Sequence, residues 1–270
     1  QNLFPRSVRH DLGEYYTPDW LAELTLNELG YDGDPDKRVL DPACGSGTFL
    51  VMALNRARQW FAAHRHECGY REDGLVRRLL DNIIGFDLNP LAVMAARTNY
   101  LMAIRDLLQA AGNVELPVYL CDSIMTPSEY GGLFTLGGAD RRLLRTAVAR
   151  FEVPAEVTDA RDRLGKYAAA LEFCVQNRYE PASFVAYCAQ QGLPVSDEQE
   201  ELHRGLYREL RRLDEANQNG IWARIMKNAF APLFVGQVDY VAGNPPWVNW
   251  EHLPGEYRSA TSGVWERYGL

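Results

Sequence analysis

The sequence predicts an α/β fold with a mostly parallel sheet, interrupted by a long helical insertion. Short apolar segments typical of strands alternate with longer segments whose apolar residues recur at helical spacing. Helices between successive strands are typical of βαβ units, in which the strands run parallel. Residues 136–231 are instead rich in Arg, Glu, Ala and Leu and show no convincing strand, which predicts the insertion.

The elements are predicted in the following order. A helix has Thr17 as its N-cap and Pro18 in its first position, and ends at Gly30. Strands are predicted at 37–41, 83–86, 117–120 and 238–242. Two further helices are predicted, one from Thr48 to about Arg65 and one from Pro90. The polar stretch 64–73 is predicted as an added loop or short helix.

Composition and charge limit the classes of protein. With 270 residues, 47% of them hydrophobic, the chain can form one large α/β domain, alone or with a smaller partner. No apolar run is long enough to cross a bilayer, and the chain does not open with a basic-then-apolar signal sequence. The five cysteines are odd in number and show no CxxC spacing, which disfavours a zinc site and a disulfide framework. This cysteine usage favours a reducing cytosol, so we expect a cytoplasmic protein.

The net charge of −8 argues against a free-standing nucleic-acid binder, because neutralisation of phosphates supplies much of the affinity of such proteins. Charge can nevertheless be local. Arginines cluster within 141–150 and again within 204–212. Each cluster is either a solvated helix face or a binding patch.

The first patch with chemical character is the stretch 40–49, where a predicted strand meets a glycine turn that opens a helix. Gly45 and Gly47 permit unusual backbone angles and close approach of a ligand, and the helix start presents free N–H groups. This pattern is typical of a nucleotide-like cofactor site, although it also occurs as a tight packing turn. The sequence matches neither a Walker loop nor the GxGxxG pattern.

Two acidic residues follow the next two predicted strands. Asp87 stands where a carboxylate usually accepts hydrogen bonds from a ribose diol, but Asp87 or Asn89 could instead only cap the next helix. Asp122 could accept a hydrogen bond from an exocyclic amine of a cofactor, or could only form a turn.

The most specific patch is Asn-Pro-Pro-Trp at 244–247, directly after the last predicted strand. The two prolines remove two N–H donors, so the Pro245 carbonyl can point outward beside the side-chain oxygen of Asn244. Two acceptors near one point suit a substrate amino group, and Trp247 offers a flat face for stacking. The alternative is a rigid loop with a buried tryptophan.

In this order the patches resemble the amino-methyltransferases that act on N6 of adenine in DNA, particularly the large bacterial enzymes of restriction-modification and phage-defence systems. The stretch 13–18, Gly-Glu-Tyr-Tyr-Thr-Pro, is similar to the N-terminal motif of that family. The resemblance implies a Rossmann-like, S-adenosylmethionine-dependent methyltransferase fold. It also implies S-adenosylmethionine as cofactor, S-adenosylhomocysteine as product, no metal, and double-stranded DNA with a flipped adenine as substrate.

The resemblance also assigns the residues of the site. The catalytic tetrad is Asn244, Pro245, Pro246 and Trp247. The residues expected to bind the cofactor are Tyr16, Thr17, Pro18, Asp41, Ala43, Cys44, Gly45, Ser46, Gly47, Thr48, Phe49, Asp87, Leu88, Asp122, Ser123 and Asn244.

The motifs, together with the helical stretch between them, divide the chain into three segments. Residues 1–135 hold the N-terminal helix and the cofactor-binding half, 136–231 the insertion, and 232–270 the catalytic strand and loop. Position 247 is Trp where Tyr or Phe is commoner in the family, and the insertion is long. The chain also begins without Met and stops where the family continues with further strands and a target-recognition domain. We therefore expect an incomplete sheet, and that target-recognition region or other defence subunits as partners, without a membrane.

Two other functions stay open. The same Asn-Pro-Pro-aromatic loop serves enzymes that methylate a glutamine amide in translation release factors, or amino groups in RNA. Alternatively, the chain is a non-catalytic, cofactor-binding subunit of a larger defence complex.

Overall fold

The structure is a computed structural model that describes residues 17–108, 114–124, 140–145, 150–216, 222–247, 251 and 253–269. The chain divides into two compact units. The first unit combines Gln1–Ile124 with Gln237–Leu270, and the second is Met125–Gly236. The three segments expected from the sequence remain a prediction.

The helices and strands of the described residues, in chain order, are α1 (Asp19–Glu28), β1 (Val39–Asp41), α2 (Thr48–Ala63), α3 (Glu72–Asn82), β2 (Ile83–Asp87), α4 (Pro90–Ile104), β3 (Val118–Leu120), β4 (Arg141–Arg145), β5 (Arg150–Pro154), α5 (Arg161–Gln176), α6 (Pro181–Gln190), α7 (Glu200–Glu215), α8 (Trp222–Phe230), β6 (Tyr240–Val241) and α9 (Gly255–Tyr268). Two short 3-10 helices cover Ala155–Val157 and Ala231–Phe234.

Strands β1, β2, β3 and β6 form one parallel sheet in the order β3-β2-β1-β6. In its register Leu40 lies opposite Ile84 on one side and Val241 on the other. The α/β fold with a parallel sheet is thus confirmed. Because all four strands run in the same direction, the residues that follow them meet at one edge of the sheet.

One face of this sheet carries the hydrophobic core of the first unit. Strand residues Val39, Ile83 and Val118 are buried there together with residues of α1 to α4. In α2 the buried residues recur at helical spacing, as in Leu50 and Leu54, so the sequence pattern places one side of the helix on the sheet. Helix α4 begins where Asn89 accepts a hydrogen bond from the Leu91 N–H at 2.9 Å.

Two predictions about the first unit are wrong in detail. Helix α1 begins at Asp19 with Pro18 as its N-cap, so the cap lies one residue after Thr17. Helix α3 was missed, since the loop or short helix predicted at 64–73 overlaps it only at Glu72 and Asp73. Its signal was present, because Leu75, Val76 and Leu79 recur at helical spacing and are buried. The many polar residues around them concealed the pattern.

The second unit is mainly helical, as predicted, but it also contains strands. β4 and β5 pair antiparallel, with Arg142 opposite Val153. The prediction that this region has no convincing strand is therefore wrong. In β5, Phe151 and Val153 are buried at alternate positions, which is the period of a strand. The arginines of the first cluster lie on these two strands rather than on a helix.

The second arginine cluster lies on α7 and is paired with acids. Arg212 forms an ion pair with Glu209 at 2.6 Å, and Arg204 and Arg208 pair with Glu200 and Glu201. Such pairs on a partly exposed helix face support the interpretation of this cluster as a solvated surface.

Candidate functional site

The glycine turn after β1 is held to β2 by hydrogen bonds. The Cys44 N–H donates to the Phe86 carbonyl at 2.8 Å, and the Gly45 N–H donates to Oδ2 of Asp87 at 2.8 Å. Gly45 has φ 53° and Gly47 has φ 86°, both in the left-handed region that favours glycine. Backbone conformation therefore favours glycine at both positions.

The two glycines differ in what lies beside them. A Cβ added to Gly47 would lie 3.2 Å from Cα of Ala96, so Gly47 permits close packing of the turn on α4. A Cβ added to Gly45 would meet nothing within 4 Å. The open space beside the turn therefore lies at Gly45, which is where a ligand could approach the backbone.

Asp87 ends β2 and organises the turn. Its Oδ2 accepts from Gly45, and its Oδ1 accepts from the Asn89 N–H at 2.8 Å. The side-chain cap of α4 comes from Asn89, so Asp87 is not the capping residue. A carboxylate has about four lone-pair positions, of which these contacts use two, so Asp87 keeps acceptor capacity for hydroxyl groups of a ligand.

Asp122 follows β3 and forms a turn. Its Oδ1 accepts from the Ile124 N–H at 2.8 Å, as in the simpler of the two interpretations. The hydroxyl of Tyr257, on α9, donates to the same oxygen at 3.5 Å. No local pattern connects Tyr257 with Asp122, since 135 residues separate them. The neighbouring Ser123 is exposed.

Asp41 is the most buried acid of the site, with 1% of its surface exposed. Its Oδ1 accepts from the Ala43 N–H at 3.1 Å. Burial raises the pKa of Asp41 from its ordinary value to about 7, and the negative charge of Asp87 adds to this effect. The Asp41 carboxyl group thus contacts the turn on its buried side, and it does not line the open space at Gly45.

Two cysteines at this edge of the sheet, Cys44 and Cys121, are buried and have raised pKa values. Burial raises the pKa of both the Cys44 and the Cys121 thiol well above the usual value, with nearby aspartates adding to the effect. A thiol that stays protonated at neutral pH is a poor nucleophile. The geometry thus favours packing roles for Cys44 and Cys121.

The Asn-Pro-Pro-Trp segment follows β6, beside the glycine turn. The Ala242 N–H donates to the Leu40 carbonyl at 3.0 Å and so fixes the start of the segment to β1. The side chain of Trp247 is 76% exposed, which contradicts the alternative of a rigid loop around a buried tryptophan. Its indole Nε1 donates to Oδ1 of Asn244 at 3.1 Å.

The other assigned residues lie around the turn or outside the described part. Tyr16 lies outside the described residues, and Thr17 and Pro18 directly precede α1. The Ser46 carbonyl accepts from Nδ2 of Asn99 at 2.9 Å, a contact from α4 that sequence reasoning missed. The remaining assigned residues of the turn are Thr48 and Phe49, which begin α2, and the exposed Leu88, which follows Asp87.

Among the described residues, no group of three or more His, Cys, Asp or Glu side chains is arranged to hold a metal ion. No helix within the same residues is both long and apolar enough to cross a bilayer.

Comparison with known proteins supports the interpretation of this edge. Residues 2–126 match the family described as N-6 DNA Methylase. The match includes the glycine turn, Asp87 and Asp122, and ends before Asn244. It confirms the resemblance to N6-adenine DNA methyltransferases that the motifs indicated.

Individual relatives agree with the family match. Over 135 residues, 44% of this chain and 11% of the relative, the chain is 33% identical to the adenine-specific methyltransferase PglX of Streptomyces coelicolor. It is 27% identical over 120 residues to the type I restriction enzyme MjaVII methylase subunit of Methanocaldococcus jannaschii, covering 44% of the chain and 17% of the relative. It is 32% identical over 109 residues to the adenine-specific methyltransferase BrxX of Escherichia coli O9:H4, covering 38% and 9%. The matched segments are thus less than a fifth of the length of each relative.

Proposed function

We propose that this chain is the catalytic part of a methyltransferase that transfers a methyl group from S-adenosylmethionine to N6 of adenine in DNA. We further propose that it acts in the bacterial cytoplasm, within a restriction-modification or antiviral defence system. Its partners are DNA with the target adenine flipped out of the duplex and a target-recognition region or other defence subunits. The names of the similar proteins support this assignment.

The observation that carries the proposal is that two motifs meet at one edge of the sheet. The glycine turn follows β1, and the Asn-Pro-Pro-Trp segment follows β6, which pairs directly with β1. Crevices outside the carboxyl ends of parallel strands are the usual place for ligands in such folds. A cofactor beside the turn and a substrate amino group beside Asn244 would therefore be neighbours.

The residues present fit the expected cofactor. S-adenosylmethionine, when bound, supplies a methyl group on a positively charged sulfur that leaves readily. Gly45 presents its backbone to open space, and Asp87 keeps free acceptor positions for ribose hydroxyls. Asp122, at the end of the neighbouring strand β3, is the acceptor proposed for the adenine amine of the cofactor.

Asn244 and Pro245 are proposed to activate the substrate nitrogen. The lone pair of adenine N6 is delocalised into the ring, which makes this nitrogen a poor nucleophile. Hydrogen bonds from the two N6–H groups to Asn244 Oδ1 and the Pro245 carbonyl would favour tetrahedral geometry and localise the lone pair. The nitrogen would then form a bond to the methyl carbon as the carbon–sulfur bond breaks. The sulfur would keep the bonding electrons and leave as S-adenosylhomocysteine, and the extra N6 proton would pass to solvent. Positioning and electrostatics provide the acceleration.

Trp247 is proposed to hold the flipped base. Extraction of a base from the duplex costs a few kcal/mol, and stacking on an aromatic face offsets about 1–3 kcal/mol of this cost. The exposed indole donates to Asn244 Oδ1 through the edge of its ring, which leaves the ring faces for stacking. An amide oxygen has a second lone pair, so Asn244 could also accept from a substrate amino group.

The proposal is tested by supplying S-adenosylmethionine with a labelled methyl group to three acceptors. We expect label in unmethylated DNA, and none in RNA or in release-factor protein. An Asn244→Ala variant serves as the inactive control. Label in RNA or protein but not in DNA would refute DNA as the substrate. Cofactor binding without transfer to any acceptor would favour a non-catalytic subunit.

A further inference from the structure

The carboxylate of Asp41 occupies the space in which residue 243 would carry a side chain. A Cβ added to Gly243 would lie 2.4 Å from Oδ1 and 3.2 Å from Cγ of Asp41. Real Cβ atoms do not approach other atoms so closely, so one of the two residues would have to move. Glycine at 243 and aspartate at 41 are therefore matched in shape.

Neither residue is free to move independently of its surroundings. The same Oδ1 of Asp41 accepts from the Ala43 N–H at 3.1 Å, which ties the carboxylate to the glycine turn. Gly243 directly precedes Asn244 and follows Ala242, whose N–H is bonded to β1 at 3.0 Å. The two prolines after Asn244 limit the torsions that could absorb a shift. A shift of the backbone at residue 243 would therefore also move Asn244.

Asp41 lies on the buried side of the site. Only 1% of Asp41 is exposed, so the carboxylate lies between the turn and the catalytic segment and not on their open side. The charged group that acts on its pKa is the Asp87 carboxylate on β2, and Asp41 in turn raises the pKa of the Cys44 thiol. Neither neighbour is a cation, so the Asp41 carboxyl group is held by shape and by the Ala43 hydrogen bond.

We propose that Asp41 is a positioning residue, and that its contact with Gly243 sets the distance between the cofactor turn and Asn244. This inference rests on the proposed methyl transfer, since that reaction needs both motifs at a fixed separation. Misplacement of reacting groups by about 1 Å can cost about 100-fold in rate. Glycine at 243 is thus required by Asp41, and not by the backbone angle, because Gly243 lies outside the left-handed region.

A double-mutant cycle in the full chain tests the pairing. Gly243→Ala should lower kcat by about 100-fold, while the dissociation constant for S-adenosylmethionine changes by less than about threefold. Asp41→Ala removes the Cγ and both oxygens that obstruct the new Cβ. The double variant should therefore regain at least about tenfold of the lost kcat relative to Gly243→Ala, since contacting residues are coupled.

Two matched controls accompany the cycle. Gly205→Ala adds a methyl group in α7 where a Cβ meets nothing within 4 Å, so it should leave kcat unchanged. Asp41→Asn keeps the shape of the side chain and an oxygen for the Ala43 N–H, and should retain more activity than Asp41→Ala. Independent, additive effects of the two substitutions would overturn the proposal, as would a wild-type kcat in Gly243→Ala.

Thermal unfolding separates this inference from the proposed function. Gly243→Ala should lower the unfolding midpoint by about 5 °C, with at least half of the loss restored in the double variant. This readout needs no methyl acceptor. If the wild-type chain methylates nothing but the unfolding cycle shows coupling, the contact stands and the proposed reaction fails. If methylation occurs and both cycles are additive, the reaction stands and the inference fails.

Discussion

Replacement of the buried Asp41 by asparagine should change how the stability of the protein depends on pH. The pKa of this carboxyl is raised from 3.8 to about 7 by burial and by the charge of Asp87. At about 1.4 kcal/mol for each pH unit, the ionised form is disfavoured in the folded protein by about 4 kcal/mol. Asp41→Asn removes the ionisation and keeps an oxygen for the Ala43 N–H.

The direction of the effect follows from proton binding. Below about pH 4 the carboxyl is protonated in both the folded and the unfolded protein, and it contributes nothing to the pH dependence. Between about pH 4 and pH 7 only the folded protein binds the proton, so the free energy of unfolding falls as pH rises. Above about pH 7 the loss is complete. The asparagine variant lacks this loss, and should gain on the wild type by up to about 4 kcal/mol at pH 8.

Urea unfolding of both proteins at pH 5, 6, 7 and 8 provides the measurement. Other carboxyls with lowered pKa values, such as Glu156, titrate in both proteins and cancel in the difference. The difference in the free energy of unfolding between variant and wild type should therefore grow with pH and level off above about pH 7. Parallel curves from pH 5 to pH 8 would refute the reasoning, because they would show that Asp41 ionises normally in the folded protein.

Substitutions at four other positions test single contacts in and behind the site. Asp87→Ala removes the acceptor of the Gly45 N–H and should raise the dissociation constant for S-adenosylmethionine, measured by calorimetry, by about 100-fold. Asp87→Asn should raise this constant less, and equal rises in the two variants would contradict the role of Asp87. Asn244→Ala should lower methyl transfer by at least about 100-fold with nearly unchanged cofactor affinity, and a lost affinity instead would show that its role is wrong. Trp247→Phe keeps the stacking face and removes the donor to Asn244, so its kcat/KM should remain within about tenfold of wild type. Trp247→Ala also removes the stacking face and should lower kcat/KM further. Equal kcat/KM values for the two variants would exclude stacking. Gly85→Ala places a Cβ 2.6 Å from Cδ1 of Leu50 and should lower the thermal midpoint by about 5 °C, which an unchanged midpoint would rule out.

Much of the first unit could be predicted from the sequence because its signals are local. The strand before Asp41, the turn at Gly45 and Gly47, and the helix from Thr48 follow one another directly in the chain. Asn89 and Pro90 likewise mark the start of α4. In each case the backbone requirement of a few adjacent residues determines the element.

What could not be predicted depends on contacts between distant parts of the chain. The fit of Asp41 to Gly243 joins residues about 200 positions apart, and neither residue type signals the other. The hydrogen bond from Asn99 to the Ser46 carbonyl is similar. The antiparallel pair of β4 and β5 was missed for a local reason, since Leu143 and Leu144 are both buried and break the alternation expected of a strand.

The central claim is that Asn244 and its neighbours methylate the exocyclic amine of adenine. The most direct test is mass spectrometry of nucleosides from DNA that was incubated with the protein and S-adenosylmethionine. The account predicts N6-methyladenine as the product, and its absence when Asn244 is replaced by alanine. Methylation at C5 of cytosine would contradict the account, because that chemistry needs a nucleophile at the pyrimidine ring, which this site is not proposed to supply. Methylation of N4 of cytosine would retain the amine chemistry and refute adenine as the base.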